Sequence, residues 1–195
     1  GQIPVILSTN FFMCFRDEWF FFQFAMIALG VFGKEFIRWN RDGQNVHVFN
    51  PSAFGLSIFS LGLLLTGSTG ITWGESIAID LGRPDYIFLW LFGCGLIVQS
   101  LFRVTLVTMM AAGTLFALNL AYTGATGTYW FLDSGIPVAV FLGLHLLITD
   151  PVTSPRSSFG KAVFSVGYGG LVFVLYWLLG ALDSPQFYDK LLPVP

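Results

Sequence analysis

The sequence predicts an all-α integral membrane protein, one domain over residues 1–195, with about six transmembrane helices and discontinuous or re-entrant helix starts. Three observations carry that prediction. Hydrophobic residues make up 55% of the chain and charged residues 10%, whereas soluble domains carry about 25% charged residues. The mean hydropathy is +0.75, as expected for apolar runs that meet lipid. Two polar stretches with the same grammar interrupt those runs: F-N-P-S-A-F-G at residues 49–55 and T-D-P-V-T-S-P-R-S-S-F-G at residues 149–160. In each, Asn or Asp precedes Pro, small and hydroxyl residues follow, and Gly closes the stretch. Asn or Asp before Pro reads as a helix cap followed by the first helical residue. Both stretches are therefore expected to start helices deep in apolar sequence.

Taken in order, residues 2–15 are too broken for a span, and Arg16, Asp17 and Glu18 mark water or headgroups. Residues 19–32 form the first clear span, aromatic at its start as an interface belt is. Asn40 to Gln44 reads as a turn. The helix expected over residues 51–66 is roughly 24 Å long, short of a hydrocarbon core of about 30 Å. Residues 67–85 read as a polar loop. Residues 86–101 and 104–122 read as a helical hairpin turning near Arg103. Residues 123–128 read as a Gly/Thr loop, and residues 129–148 as an apolar run broken by Asp133, Gly135 and Pro137, with Asp133 a cap. Residues 162–182 form a full span, and residues 183–195 a tail. Six such spans place Lys34, Arg38, Arg41, Arg103, Arg156 and Lys161 on one side and Arg16, Arg83 and Lys190 on the other. The positive-inside rule then puts the loops containing Asn50 and Asp150 in the cytoplasm. No signal peptide is evident, and the start at Gly1 is expected of a processed or incompletely represented product.

The net charge of −2 and the absence of a basic stripe exclude a nucleic-acid partner. Cys14 and Cys94 show no metal or redox spacing and read as free thiols. No P-loop, dinucleotide fingerprint, cysteine cluster or nucleophile elbow is present, so no catalytic residue and no metal site is expected. The candidate residues sit at the two polar stretches. Helix starts leave N–H groups unpaired at the positive end of the helix dipole, and transporters use such starts to hold ions or anionic ligands. Asn50, Ser52, Thr153 and Ser154 are therefore candidates for a bound cofactor. Asp150 is the candidate for a cation or proton, grouped with Arg156 and Lys161 as a charge set. His47 and His145, the only histidines, each lie just upstream of one stretch, and the pairing suggests a shared role such as a proton relay or haem ligation. A hydrogen-bonded histidine at a helix end accounts for each equally.

At these residues the chain resembles a known family, the homologous membrane subunits of bacterial ion-motive electron-transport complexes. These are the D-type subunit of the Rnf complex and the B-type subunit of the sodium-pumping NADH:quinone reductase. The residues are Lys34-Glu35, Gly43-Gln44-Asn45 and Phe49-Asn50-Pro51-Ser52-Ala53-Phe54-Gly55. The second set is Leu147-Ile148-Thr149-Asp150-Pro151-Val152-Thr153-Ser154 with Gly160-Lys161. The resemblance covers residues 34–182 and implies a fold similar to urea and ammonium channels, built from two inverted halves. Family members carry more spans than this chain, which corresponds to a divergent short member or to the later part of one. The resemblance also implies FMN, joined as a phosphoester to a Thr in an S-G-A-T-like motif. That motif is missing from residues 67–85. Thr126 ends a T-G-A-T string one hairpin later, and Asn119 stands where the family has an upstream Asp. The departure favours a noncovalent flavin (FMN or riboflavin), a quinone, or no cofactor, over covalent FMN on Thr126. The expected function is that of a membrane subunit coupling redox chemistry to ion movement, an electron carrier at most, in a bacterial inner membrane with other membrane subunits as partners. The alternatives are a structural accessory subunit of a respiratory or photosynthetic complex and a channel or carrier for a small solute.

Overall fold

The computed structural model describes residues 2–81, 83–84, 86–131 and 135–195. Asp85 and Asp133, expected to belong to a loop and to be a cap, lie outside the described residues. Among the described residues, eight α-helices and a two-stranded hairpin follow in the order α1 (Ile3–Phe12), α2 (Phe21–Phe36), β1 (Arg38–Arg41), β2 (Gln44–His47), α3 (Pro51–Thr66), α4 (Gly74–Asp80), α5 (Ile87–Leu101), α6 (Thr105–Thr126), α7 (Ile136–Leu142) and α8 (Ser158–Ala181). A π-helical turn, Gly143–Leu147, continues α7.

Several expectations change. Residues 3–12 form a helix although their pattern is broken. The Asn40 to Gln44 turn is the tip of a β-hairpin: Asp42 and Gly43 take φ of 53° and 80°, the doubly left-handed turn that fits strand twist and that Asp-Gly favours. The 67–85 stretch is not wholly loop, because α4 lies within it. Residues 123–126 are the last turn of α6 rather than a loop, and the chain leaves the helix at Gly127, whose φ of 71° suits a glycine stop. The expected turn at Arg103 is present between α5 and α6, with Arg103 itself at φ 57°.

Among the described residues, only α6 and α8, of 22 and 24 residues, are long and apolar enough to cross a membrane by themselves; Ile3–Phe12, Pro51–Thr66, Leu89–Leu101 and Ile136–Leu147 are shorter apolar helices. The most apolar windows of α6 and α8 are only 28% and 33% buried, whereas the core helix of a soluble protein is mostly enclosed. On α5, Leu89, Trp90 and Leu101 are 73%, 70% and 75% exposed. Faces of this kind are costly in water and suit lipid or a partner helix.

The helices pack as two groups. In the first, α2 and α3 approach closely at glycines: a Cβ on Gly30 would lie 2.7 Å from the Pro51 carbonyl oxygen, and one on Gly55 would lie 2.8 Å from that of Met26. Small residues allow such backbone contact, and dispersion rather than water release then holds helices together in lipid. In the second group α6 packs along α8, where a Cβ on Gly169 would meet the Ala111 carbonyl at 3.0 Å. The chain between α1 and α2 pairs with the chain after α3, Arg16 N–H donating to the Ile71 carbonyl (2.9 Å) and Trp73 N–H to that of Cys14 (2.7 Å). Residues 183–195 do not trail away as a tail. They turn back into the bundle, where Phe187, Tyr188 and Leu191 are buried, and Lys190 is buried with them rather than standing in a surface loop. The tail lies beside the two short helices: the Ser57 hydroxyl of α3 donates to the Leu191 carbonyl, and the Lys190 stem packs on Gly143 at the end of α7.

Because the obstacle at Gly55 is backbone, Gly55→Leu is expected to cost about 1–3 kcal/mol of stability. Gly62→Ala, which meets nothing within 4 Å, is expected to leave stability unchanged or raise it by up to about 1 kcal/mol. Denaturant titration of both variants in mixed micelles checks the pair.

Candidate functional site

Asn50 fits its expected role. Its Oδ1 accepts from Ser52 N–H (3.0 Å) and Ala53 N–H (3.2 Å), which caps α3 ahead of Pro51. Its Nδ2 does more, donating to the Leu147 carbonyl at 2.9 Å. Leu147 ends the π-helical turn, so its carbonyl belongs to a helix C-terminus without an intrahelical partner. One buried side chain therefore satisfies the start of one short helix and the end of another, 97 residues later in the chain. A π-helical turn at such a place is common near functional sites.

Asp150 departs from expectation. It caps no helix: residues 150–157 are turns and bends. Its Oδ1 accepts from Val152 N–H (3.1 Å), two residues on, the local turn that Asp makes in competition with a helix start. The true cap is Ser157, whose Oγ accepts from Gly160 N–H at 3.0 Å. The Asp150 Oδ2 accepts from the Thr153 hydroxyl (3.1 Å) and faces His47 Nε2 at 3.4 Å. His47 and Asp150 are 15% and 18% exposed at their side chains. The expected set of Asp150, Arg156 and Lys161 does not assemble. Arg156 pairs with Asp42 at the hairpin tip, and Lys161 donates to the Arg103 carbonyl at 2.5 Å.

The two histidines do not meet in one relay. His47 belongs to the junction through Asp150. His145 is buried in the π-helical turn, stacked on Phe141 with ring centroids 4.2 Å apart and beside Phe92 and Gly95 of α5. It touches the junction only through its carbonyl, which accepts from the Thr149 hydroxyl at 2.7 Å.

Arg41 belongs to the site although nothing in its own neighbourhood points there. From the end of β1 its Nη1 donates to the Val152 carbonyl (2.9 Å) and its Nη2 to that of Ser154 (3.3 Å). The hairpin is thereby clamped to the 150–157 turn by Arg41 and by the Arg156–Asp42 pair. Ser52 and Ser154 are buried, and their hydroxyls bond inside the protein, to Ser8 and to the Ile148 carbonyl (3.3 Å) respectively. With Asn50 bonded through both ends of its amide, the junction engages these three side chains within the protein. What it does present is a half-buried carboxylate between an imidazole and a hydroxyl, which can hold a proton or a small cation.

Thr126 lies far from this junction in the chain, exposed at the C-terminal end of α6. Its hydroxyl donates to the Tyr122 carbonyl (2.8 Å) and accepts from Thr128 N–H (3.3 Å). Asn119 instead holds the following loop, accepting from Trp130 N–H at 3.2 Å. A cavity of about 480 Å³ lies between α2 and the far half of α3, walled by Phe15, Trp19, Phe22, Phe59 and Leu63 with Thr66 and Ser68.

Among known proteins, the chain is similar to the D-type subunit of an ion-translocating oxidoreductase complex from Stutzerimonas stutzeri, 35% identical over 100 residues, which is 49% of this chain and 27% of the relative. It is also similar to the protein of the same name from Tolumonas auensis, 45% identical over 49 residues, 25% of this chain and 14% of the relative. The chain thus spans about a quarter of the first relative and a seventh of the second. No protein-family profile matches the chain, and no solved structure does.

Asn50→Ala removes a cap and leaves the Leu147 carbonyl without its donor. It is expected to lower stability by about 1–3 kcal/mol. Asn50→Ser keeps a cap acceptor and loses the amide donor without adding a charge, so its stability should fall between those of the unaltered chain and Asn50→Ala in the same unfolding titration.

Proposed function

We propose that this chain is a membrane subunit of an ion-translocating oxidoreductase complex, in which the junction of His47, Asp150 and Thr153 binds a proton or small cation. The observation that carries the reading is the similarity to the D-type subunits of two bacteria. The geometry supports it in one respect: a carboxylate is held half-buried at the meeting point of two short helices, where an apolar bundle would otherwise have no use for it. The other membrane subunits of such a complex are the partners, and the exposed faces of α5 and α8 are the surfaces for them and for lipid. The location is the bacterial inner membrane. Lys34, Arg38, Arg41, Arg103, Arg156 and Lys161 all come from the segments around the junction, which favours a cytoplasmic position for it.

Within this reading a redox group bound by the chain is a quinone rather than a flavin. The aromatic cavity beside α3 is within the usual size range of ligand sites, and its mostly apolar wall suits the ring of a quinone better than the many polar edges of a flavin. A second reading, an accessory subunit of a respiratory or photosynthetic complex, is favoured by the breadth of exposed apolar surface on α5.

Purification from native membranes in mild detergent tests the reading. Redox subunits are expected to copurify, and vesicles carrying the complex are expected to take up ions or protons when supplied with donor and acceptor. Asp150→Asn should lower that uptake while electron transfer continues. Isolation of the chain alone, or uptake unchanged in the variant, contradicts the respective parts. A flavin spectrum that survives denaturation would locate a covalent flavin on this chain, with Thr126→Ala deciding its attachment.

A further inference from the structure

The segment after α8 carries two charged residues into the apolar interior. Asp189 and Lys190 are both 0% exposed. Their depth is set by their neighbours. The next residue, Leu191, accepts a hydrogen bond from Ser57 in the middle of α3. A Cβ on Gly143 would lie 3.0 Å from the Tyr168 hydroxyl, in the middle of α8, and 3.3 Å from Lys190 Cβ.

Adjacent opposite charges would be expected to pair, yet among the described residues they form no ion pair. The Lys190 ammonium donates to the Phe187 carbonyl and lies over the Phe187 ring, 3.5 Å from its centroid. Asp189 Oδ1 accepts from Lys190 N–H at 2.7 Å. Asp189 Oδ2 is buried with no hydrogen-bond partner among the described residues, and the Tyr168 hydroxyl is in the same condition. A carboxylate oxygen left without a donor inside a protein is costly, and the nearby Lys190 charge opposes that cost without bonding the oxygen. A proton on Oδ2 removes the buried negative charge, the larger part of that cost.

We propose that Asp189 is a proton-binding site in the interior of the bundle. Uptake forms an O–H bond at Oδ2 and cancels one negative charge; release breaks that bond, and no electron moves. The titratable groups facing the site are Tyr168 from α8, Lys190 and Tyr188 on its own segment, and Glu75 of α4 acting through Tyr188. From α3 the neighbour is Ser57 and from the π-helical turn Gly143, neither of which titrates. His145 on that turn faces Phe92, Phe141 and α5. The site is separate from the Asp150 junction and does not depend on the function proposed for it.

Infrared difference spectroscopy of the purified full chain, titrated from acid to alkaline pH, tests it. A protonated-carboxyl stretch sensitive to deuterium is expected, lost in Asp189→Asn and retained in Asp150→Asn. Asp189→Glu keeps a carboxyl and should shift the band, which decides the matter if the Asn variant does not fold. Absence of the band in the unaltered chain overturns the proposal, as does a band that stays in place in Asp189→Asn or, where only that variant folds, in Asp189→Glu.

Discussion

The side chain of Asn50 is the contact on which the architecture of the junction rests. Two helices too short to span a bilayer, α3 and the α7 helix with its π-helical turn, meet there end to end. A helix start lacks acceptors for its N–H groups and a helix end lacks donors for its carbonyls. In a soluble protein water repairs both. In an apolar bundle each unrepaired group costs free energy comparable to a lost hydrogen bond. Asn is suited to this position because its amide accepts and donates at once. Ser or Asp could cap α3 but could not also serve the Leu147 carbonyl.

Around that contact the chain builds a second ring of polar ties. The hairpin of β1 and β2 brings Arg41, Asp42 and His47 to the turn at residues 150–157, and each finds a partner there. Arg41 satisfies two carbonyls of a segment that has no regular structure of its own. His47 and Thr153 flank the Asp150 carboxylate. The result is an irregular backbone stretch that is held, and a carboxylate that is shielded and, among the described residues, not paired with Lys or Arg. That combination is what an ion or proton site needs, since a fixed Lys or Arg at the same distance would occupy the charge permanently.

How much of this was legible beforehand divides by range. Apolar composition and run lengths were sufficient for an all-helical protein of membrane type, and Asn50-Pro51 was sufficient for the start of α3. Asp150-Pro151 has the same grammar and a different outcome, because the Asp carboxylate found Val152 N–H before a helix could form, and Ser157 took the cap. Ser157 precedes an apolar run and carried a legible signal of its own. The Thr-Gly-Ala-Thr string read as a loop from its glycine, yet α6 absorbed it and stopped only at Gly127, where a left-handed residue was required. The burial of Asp189 and Lys190 had no local signature: two charges in a Pro-rich tail look solvated, and only the gap beside two short helices draws them inward. The separation of His47 from His145 was equally invisible, since their matching positions relative to the two stretches suggested a partnership that the fold does not make.

The central claim is that His47, at the end of the hairpin just before the first polar stretch, and Asp150, in the second, act as one site. A double-mutant cycle between His47→Gln and Asp150→Asn, read by denaturant unfolding of the full chain in mixed micelles, tests it most directly. The pair is expected to show a coupling energy of about 0.5–3 kcal/mol, as side chains in one network do. Effects that add, with no coupling beyond error, would mean that the two residues are neighbours without being a site, and would contradict the account.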